Sequence, residues 1–390
     1  MIEPLRAALV GCGSVSQRGI LPHLHQADAR EQVRVVAVVD AVRERAQAVA
    51  ERFDVPLSFA SIEELLVNAD VDVVLIATPI PSHFGNALAA IQAGKHVYVQ
   101  KTMTSTLAEA NELLAARDRV GVKLAAAPGF EICQTTSVMR RAVSEGALGV
   151  VYLAYSYTMG FGHAQEKIRS GAGALAKIDP SWYYRRGGGP VPDVTVYALQ
   201  LLTSVLGPVR RVTALANCVR PERTWRGNTI SLSVQDNNLL LLEFVSNALA
   251  VAVGADCRGS ERIPWGGLGL YGADGALEIT DVDFASGYPL GFEIQGGIWS
   301  ESTRDQGDGS CYKYASTLAD QPYMSGAHLE IEEPHVYADI MDLVEAIRAN
   351  RAPRASGEQA RHVVEIIEKA FRAIESGQTQ TLESTFAQSI

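Results

Sequence analysis

The turn Gly11-Cys12-Gly13 follows directly on the apolar run Arg6–Val10 and leads through Ser14 and Val15 to Ser16, where a helix should begin. A strand that ends in such a turn and passes into a helix opens a βαβ unit, and that commits the chain behind it to a parallel sheet. The next residues keep to that plan. Short β-branched runs at Val33–Asp40, Val71–Ala77 and His96–Gln100 alternate with segments of helical period, the pattern of strands covered on both faces by helices. Ser61-Ile62-Glu63-Glu64 has the form of a capping box, so a helix is expected to start there. Residues 1–125 are expected to be a dinucleotide-binding Rossmann domain.

Beyond residue 125 the texture changes. Alternating runs at Val150–Tyr157, Arg210–Ala216, Ile230–Val234, Leu239–Val245 and Leu249–Ala255 succeed one another through turns, with Asn237-Asn238 and Asn247-Ala248 as turn candidates. Glu332–Ala349 and Gly357–Glu375 return to helical period and are expected to pack near the domain junction. The fold class expected is therefore an α/β Rossmann domain plus an α+β domain, residues 126–390, with an open, mainly antiparallel sheet. Gly160–Ser181 and the glycine- and aromatic-rich span from Ala285 to Gly326 fit no element, and loops of that length tend to carry function or subunit contacts.

A formal net charge of -10 over 390 residues excludes the basic footprint that nucleic acid requires. Hydrophobic residues at 47% suffice for a large core, yet no apolar run approaches the ~20 residues of a membrane span. Cys12, Cys133, Cys218, Cys257 and Cys311 are scattered singly, without the spacing of a disulfide framework or a zinc site, so reduced thiols and no metal are expected. Met1-Ile2-Glu3-Pro4 does not resemble an export signal, and a cytoplasmic protein is expected.

The chemistry should gather at the carboxyl ends of the parallel strands. Gly11 allows the tight turn, Gly13 lets the backbone approach a pyrophosphate, and the helix amides near Ser14 and Val15 supply partial positive charge. Asp40 closes the second strand, where a carboxylate accepts from ribose hydroxyls and repels a 2′-phosphate. NAD is the expected cofactor, with NADP as the alternative if Arg43 turns towards a phosphate. Thr78, Pro79 and His83 should border the nicotinamide, although His83 reads equally well as a residue at a helix start. Gln100 and Lys101 end another strand on the same rim, and the ammonium of Lys101 could steady the oxygen that becomes negative during hydride transfer. Gly187–Pro192 runs into Asp193 and Tyr197, which at i and i+4 would project from one helix face. Lys101, Asp193 and Tyr197 are the candidate catalytic set, the phenol taking the alcohol proton beside a cation while the carboxylate holds neighbouring hydroxyls.

Taken in order, Gly11-x-Gly13, Val39-Asp40, Ala77-Thr78-Pro79 with His83, Ala93-Gly94-Lys95-His96 to Lys101, Glu145–Gly149 and Gly187–Tyr197 resemble the Gfo/Idh/MocA family of sugar and cyclitol oxidoreductases. The resemblance implies that Lys101 stands for the lysine of a Glu-Lys-Pro tripeptide and that Asp193 and Tyr197 stand for a catalytic Asp and His. Tyrosine in the histidine's place resembles the glucose–fructose oxidoreductase and dihydrodiol dehydrogenase branch. Gln100, Thr102 and Thr195 depart from the family's Glu, Pro and Gly. The resemblance further implies that Trp182, in Trp182-Tyr183-Tyr184 ahead of the glycine run, closes over the nicotinamide or sugar, with packing as the other reading. The implied activity is reversible hydride transfer between the nicotinamide and a secondary alcohol of a sugar, glycoside or cyclitol. The other reading is a sensor of the same fold that binds dinucleotide and sugar without chemistry. A homodimer or homotetramer through the C-terminal sheet is implied as well.

Overall fold

The computed structural model describes residues 3–160, 162–170, 175–257, 266–283, 287–296 and 311–388. The chain divides into two compact units. One comprises Met1–Gly129, Gly171–Ile178 and Tyr323–Val364, the other Phe130–Ser170, Asp179–Pro322 and Glu365–Ile390. Parts of both unassigned stretches, at 161, 171–174, 297–310 and neighbouring positions, lie outside the described residues.

In the first unit β1 (Leu5–Val10), β2 (Val33–Val39), β3 (Leu57–Phe59), β4 (Val73–Ile76), β5 (His96–Val99) and β6 (Leu124–Ala126) form one sheet in the order β3-β2-β1-β4-β5-β6. Every pairing is parallel. The run Val71–Ala77 supplies a strand of only four residues, because Val71 lies before the pairing begins and Ala77 already belongs to the rim turn. Ser61 caps the helix Ile62–Asn68 by accepting from Glu64 N at 3.3 Å, as its spacing requires. Glu64 reaches one residue further back than a capping box does, accepting from Ala60 N at 3.0 Å.

The sheet's two faces are both buried. Val10, Val39, Val74, Ile76, Val97 and Val99 belong to a core that also takes in Ala360 and Val364 from far along the chain. The helix Pro334–Arg348 belongs here too, since Asp339 accepts from Gly129 N at 3.1 Å and from the hydroxyl of buried Tyr98 at 3.4 Å. Residues 323–364 thus join the first unit, where the sequence assigned them to the second. A doubly wound sheet needs helices on both faces, and this late segment supplies one of them. The boundary at residues 364 and 365 falls inside the helix Gly357–Ser376.

In the second unit the described residues form a nine-stranded sheet from β7 (Val151–Met159), β8 (Val209–Asn217), β11 (Asn237–Phe244), β12 (Leu249–Ala255), β13 (Gly266–Gly272), β14 (Gly275–Val282), β15 (Pro289–Gly296), β16 (Cys311–Ala315) and β17 (Gln380–Thr381). Its order is β16-β15-β14-β13-β7-β12-β11-β8-β17, and β7 with β12 is its one parallel pairing. Of the run Ile230–Val234 only Ile230 and Ser231 are in a strand, in a separate two-stranded ribbon of β9 (Glu222–Trp225) and β10 (Asn228–Ser231). Asn247, at φ 71°, turns the chain between β11 and β12. Asn237 and Asn238 do not turn; they pair with Ala255 and Gly254 inside the sheet, and Asn238 is buried with its amide donating to Gly254 O at 3.0 Å. One face of β7, β12 and β13 is covered by the helix Thr195–Leu206, which packs on Gln134–Ser144.

Candidate active site

The first unit brings its expected nucleotide residues to the carboxyl rim of the sheet. Gly11 takes φ +99°, and a Cβ there would stand 2.4 Å from Ala77 O, so the turn admits only glycine. A Cβ on Gly13 would meet nothing within 4 Å, which leaves room beside the following amides. Ser16, in place of the third glycine, is buried and donates to Gly11 O at 2.6 Å, tying the turn to the first helical turn. Ser14 accepts from Arg18 Nε at 3.0 Å, and Arg18 also pairs with Glu332 and Glu333. Asp40 is 8% exposed; its Oδ2 accepts from Cys12 N at 3.0 Å and its Oδ1 from Val42 N at 2.9 Å. The carboxylate is therefore locked to the glycine turn before any ligand arrives.

Two expectations need correction here. The arginine beside Asp40 is Arg45, whose Nη1 lies 3.3 Å from both carboxylate oxygens. Arg43 instead pairs with Glu64 at 2.9 Å, because the helix Arg43–Arg52 begins at Arg43 and its first turn faces Glu64. His83 is fully buried, with Nδ1 2.8 Å from Thr102 O and Nε2 2.8 Å from Thr78 O. It braces the two rim segments from behind and offers no exposed edge to a nicotinamide. Thr78, by contrast, has a covered hydroxyl with no hydrogen-bond partner among the described residues.

Gln100 is 6% exposed, and its amide donates to Tyr98 OH at 2.7 Å, which links it to Asp339. The neutral amide thus replaces a family carboxylate with a structural link. Lys101 is half-buried, joined to Thr102 by a cis peptide. His335 feels its charge: burial first, and then Lys101, push that imidazole down to about 3.

In the second unit Asp193 and Tyr197 do not share one continuous helix. Pro190–Asp193 forms a single turn, Val194 breaks it at φ -115°, and Thr195–Leu206 starts afresh, so the i, i+4 argument loses its basis. Tyr197 packs edge-on against Phe130, ring centroids 6.5 Å apart, and lines a small pocket with Ser156, Thr158, Gly266 and Pro289. Asp193, 6% exposed, accepts instead from His163 Nε2 at 3.2 Å. Sequence reasoning missed His163, which lies in the unassigned stretch without periodicity. Trp182 is half-buried on the turn Ser181–Tyr184, its ring 5.4 Å from that of His163. Thr195 fits in place of the family glycine because its hydroxyl donates to Asn238 Oδ1 at 2.9 Å.

A glycine turn that holds a carboxylate at the rim of a six-stranded parallel sheet defines a dinucleotide-linked enzyme of the Rossmann class. Residues 5–127 match the family model described as an oxidoreductase family with an NAD-binding Rossmann fold, and residues 136–278 match the model of the GFO/IDH/MocA C-terminal domain. The chain belongs to the Gfo/Idh/MocA oxidoreductase family. It is 26% identical to a D-apiose dehydrogenase of Paraburkholderia graminis over 285 residues, 72% of this chain and 68% of that protein. It is 28% identical to a D-glucoside 3-dehydrogenase of Escherichia coli over 210 residues, 53% of this chain and 55% of that one. An oxidoreductase domain protein from Kribbella flavida shares the fold at a TM-score of 0.78 and 19% identity, with 98% of this chain and 100% of that chain covered.

Proposed function

We propose that the protein catalyses reversible oxidation of a secondary alcohol on a sugar, glycoside or cyclitol. The observation that carries the reading is the 3.0 Å hydrogen bond from Cys12 N to Asp40 within a glycine turn at the head of a parallel sheet. It presents a carboxylate at the distance from the turn where an adenine ribose lies when the pyrophosphate sits on Gly13, Ser14 and Val15. NAD, when bound, accepts or returns the hydride. Asp40 holds the ribose hydroxyls, Thr78, Pro79 and Lys101 border the nicotinamide, and Arg45 neutralises the carboxylate from the solvent side.

The chain's own share of the reaction is to orient the alcohol and manage its proton. The Lys101 ammonium stabilises the oxygen as charge develops on it, Asp193 accepts from a neighbouring hydroxyl, and the Tyr197 phenol takes the proton. Trp182 lies on the Asp193 side and offers an aromatic face to the sugar ring. The curated relatives support this substrate class, since their names are those of enzymes acting on apiose and on glucosides.

We also infer a cytoplasmic location and a homodimer or homotetramer built through the outer face of the nine-stranded sheet. Among the described residues no helix is long and apolar enough to cross a membrane. Leu153, Leu215, Leu239, Leu241 and Leu249 are each about half exposed or more on adjacent strands, a large apolar area for a surface.

The test is a panel of sugars, glycosides and inositols with NAD and with NADP, following absorbance of the reduced cofactor. Turnover with at least one polyol, lost by 100-fold or more in Lys101→Ala and Tyr197→Phe, is expected. Full activity in both variants would overturn the roles given to those residues. Tight binding of NADH without turnover of any polyol would overturn the enzyme reading.

A further inference from the structure

His163, in the short turn His163–Gln165, lies between two carboxylates. Its Nδ1 donates to Glu166 Oε1 at 2.6 Å and its Nε2 to Asp193 Oδ2 at 3.2 Å. Glu166 is held from its other oxygen by Arg169 Nε at 2.9 Å, and Arg169 is buried. The aromatic rings of Tyr183, edge-on at 4.4 Å, and Trp182, at 5.4 Å, wall the imidazole. Tyr184 OH accepts from Ala164 N at 2.8 Å and so pins the turn. Behind Tyr183, whose hydroxyl donates to Asp256, stands Arg223, 3.7 Å from that carboxylate.

We propose that His163 is the positioning residue of Asp193, bridging it to Glu166 from a segment 30 residues upstream. Carboxylates accept and do not donate, so one on each ring nitrogen requires both nitrogens to carry hydrogen. Burial alone would lower the pKa of His163, but Glu166 and Asp193 outweigh it and hold the imidazole up to about 9. A ring protonated and engaged at both nitrogens has no lone pair for an alcohol proton. Its effect is on Asp193: it fixes the carboxylate's rotamer and supplies the cation that keeps it an acceptor. The inference rests on the role proposed for Asp193 in holding the substrate.

The sign of the pH effect follows. A histidine whose pKa is raised by its partners contributes fully below its ordinary value of 6.5 and loses that contribution as pH rises through about 9. The titratable and charged groups around it are Glu166, Arg169, Asp193, Tyr183, Tyr184, Asp256 and Arg223. Of these Asp256 is pushed up to about 6 by burial and Tyr184 up to about 12, so neither ionises near 9.

Two measurements test the proposal on the full chain. Ring carbon NMR of histidine-labelled protein, with the His163 signal assigned by its loss in His163→Gln, should show titration near pH 9. In Glu166→Gln the same signal should titrate at least one pH unit lower. With a turned-over polyol, His163→Gln should raise KM about tenfold or more with a smaller change in kcat, the range of a lost charge-assisted hydrogen bond. The alkaline limb of kcat/KM near 9 should disappear in His163→Gln and move down in Glu166→Gln. Titration near 6.5 in the wild type, or unchanged KM and pH profile in His163→Gln, would overturn the proposal. If no polyol is turned over, the function reading fails by itself, while the NMR titration still decides the bridge.

Discussion

The hydroxyl of Thr195 occupies the place where a side chain at position 254 would stand: an ideal Cβ on Gly254 would come within 1.9 Å of Thr195 Oγ1 and 3.1 Å of Thr195 N. Thr195 is fully buried and bonded to Asn238, which in turn donates to Gly254 O. The helix that follows Asp193 is therefore seated on β11 and β12 through one hydroxyl and one missing side chain. Gly254→Ala should lower stability by about 1–3 kcal/mol, the range for overpacking a filled core. Thr195→Gly in the same chain should recover most of that loss. A loss in the double variant equal to the sum of those in Gly254→Ala and Thr195→Gly alone, measured as thermal midpoints, would show that the two positions are not coupled.

The two glycines of the nucleotide turn should respond in different ways. Gly11 has a positive φ and a backbone oxygen 2.4 Å from its would-be Cβ, so Gly11→Ala must displace the β4 rim and should lower the thermal midpoint by several degrees. Gly13→Ala meets no protein atom. It should leave the midpoint within about a degree while weakening NADH binding about tenfold or more, because the methyl takes the space reserved for the pyrophosphate. Fluorescence titration of NADH against both variants separates the outcomes, and undiminished binding by Gly13→Ala would remove the turn from the cofactor site.

What was legible in the sequence follows the strength of the local signal. The strands of the first unit were readable because apolar runs stop at turns, and Asp40 stands at the end of β2 as its position after that run requires, although its bonds to Cys12 N and Val42 N show only in the fold. Arg43 is the arginine weighed beside Asp40 in the sequence, but the direction of the first helical turn decides which arginine faces the carboxylate, and that one is Arg45. Asn237 and Asn238 resembled a turn by type, yet a buried asparagine can serve inside a sheet when Thr195 and Gly254 satisfy its amide. Asp193 and Tyr197 have helical spacing, but the break at Val194 depends on how the preceding Pro190–Asp193 turn packs. His163 gave no signal: a single histidine in an aperiodic stretch is unremarkable until folding sets it against Asp193.

Acid should weaken the first unit. Burial first and then the neighbouring His328 lower the pKa of His23 to about 4, and burial followed by Lys101 lowers that of His335 to about 3. The unfolded chain takes up protons at both residues near 6.5, whereas the folded chain refuses them until far lower pH. Stability is then fully present above about 6.5 and declines as pH falls towards 4, at up to about 1.4 kcal/mol per pH unit for each group. His23→Phe, which keeps an aromatic ring stacked on Tyr337, should flatten the decline of the denaturation midpoint between pH 6.5 and 4. A slope equal to that of the wild type would show that His23 is already protonated in the folded protein.

The outer face of the nine-stranded sheet carries its leucines in register. Leu239 pairs with Leu215 on one side, Leu249 with Leu153 on the other, and Leu241 lies opposite Val251 between them. Leu241 is 52% exposed, Leu249 55% and Leu215 76%. Side chains of this size on neighbouring strands form a continuous apolar surface that water solvates poorly, at about 25 cal/mol per Å² left uncovered. A second copy meeting this face would bury it around a twofold axis, which is the commonest way for a chain to associate with itself. Leu241→Lys places a charge at the middle of the contact, where it would have to be buried unpaired, but leaves an isolated protomer with a more soluble surface. Light scattering after size exclusion should therefore show the wild type as a multiple of the chain mass and Leu241→Lys as a single chain, with NADH binding unchanged. An assembly of the same mass in both proteins would move the interface elsewhere on the molecule.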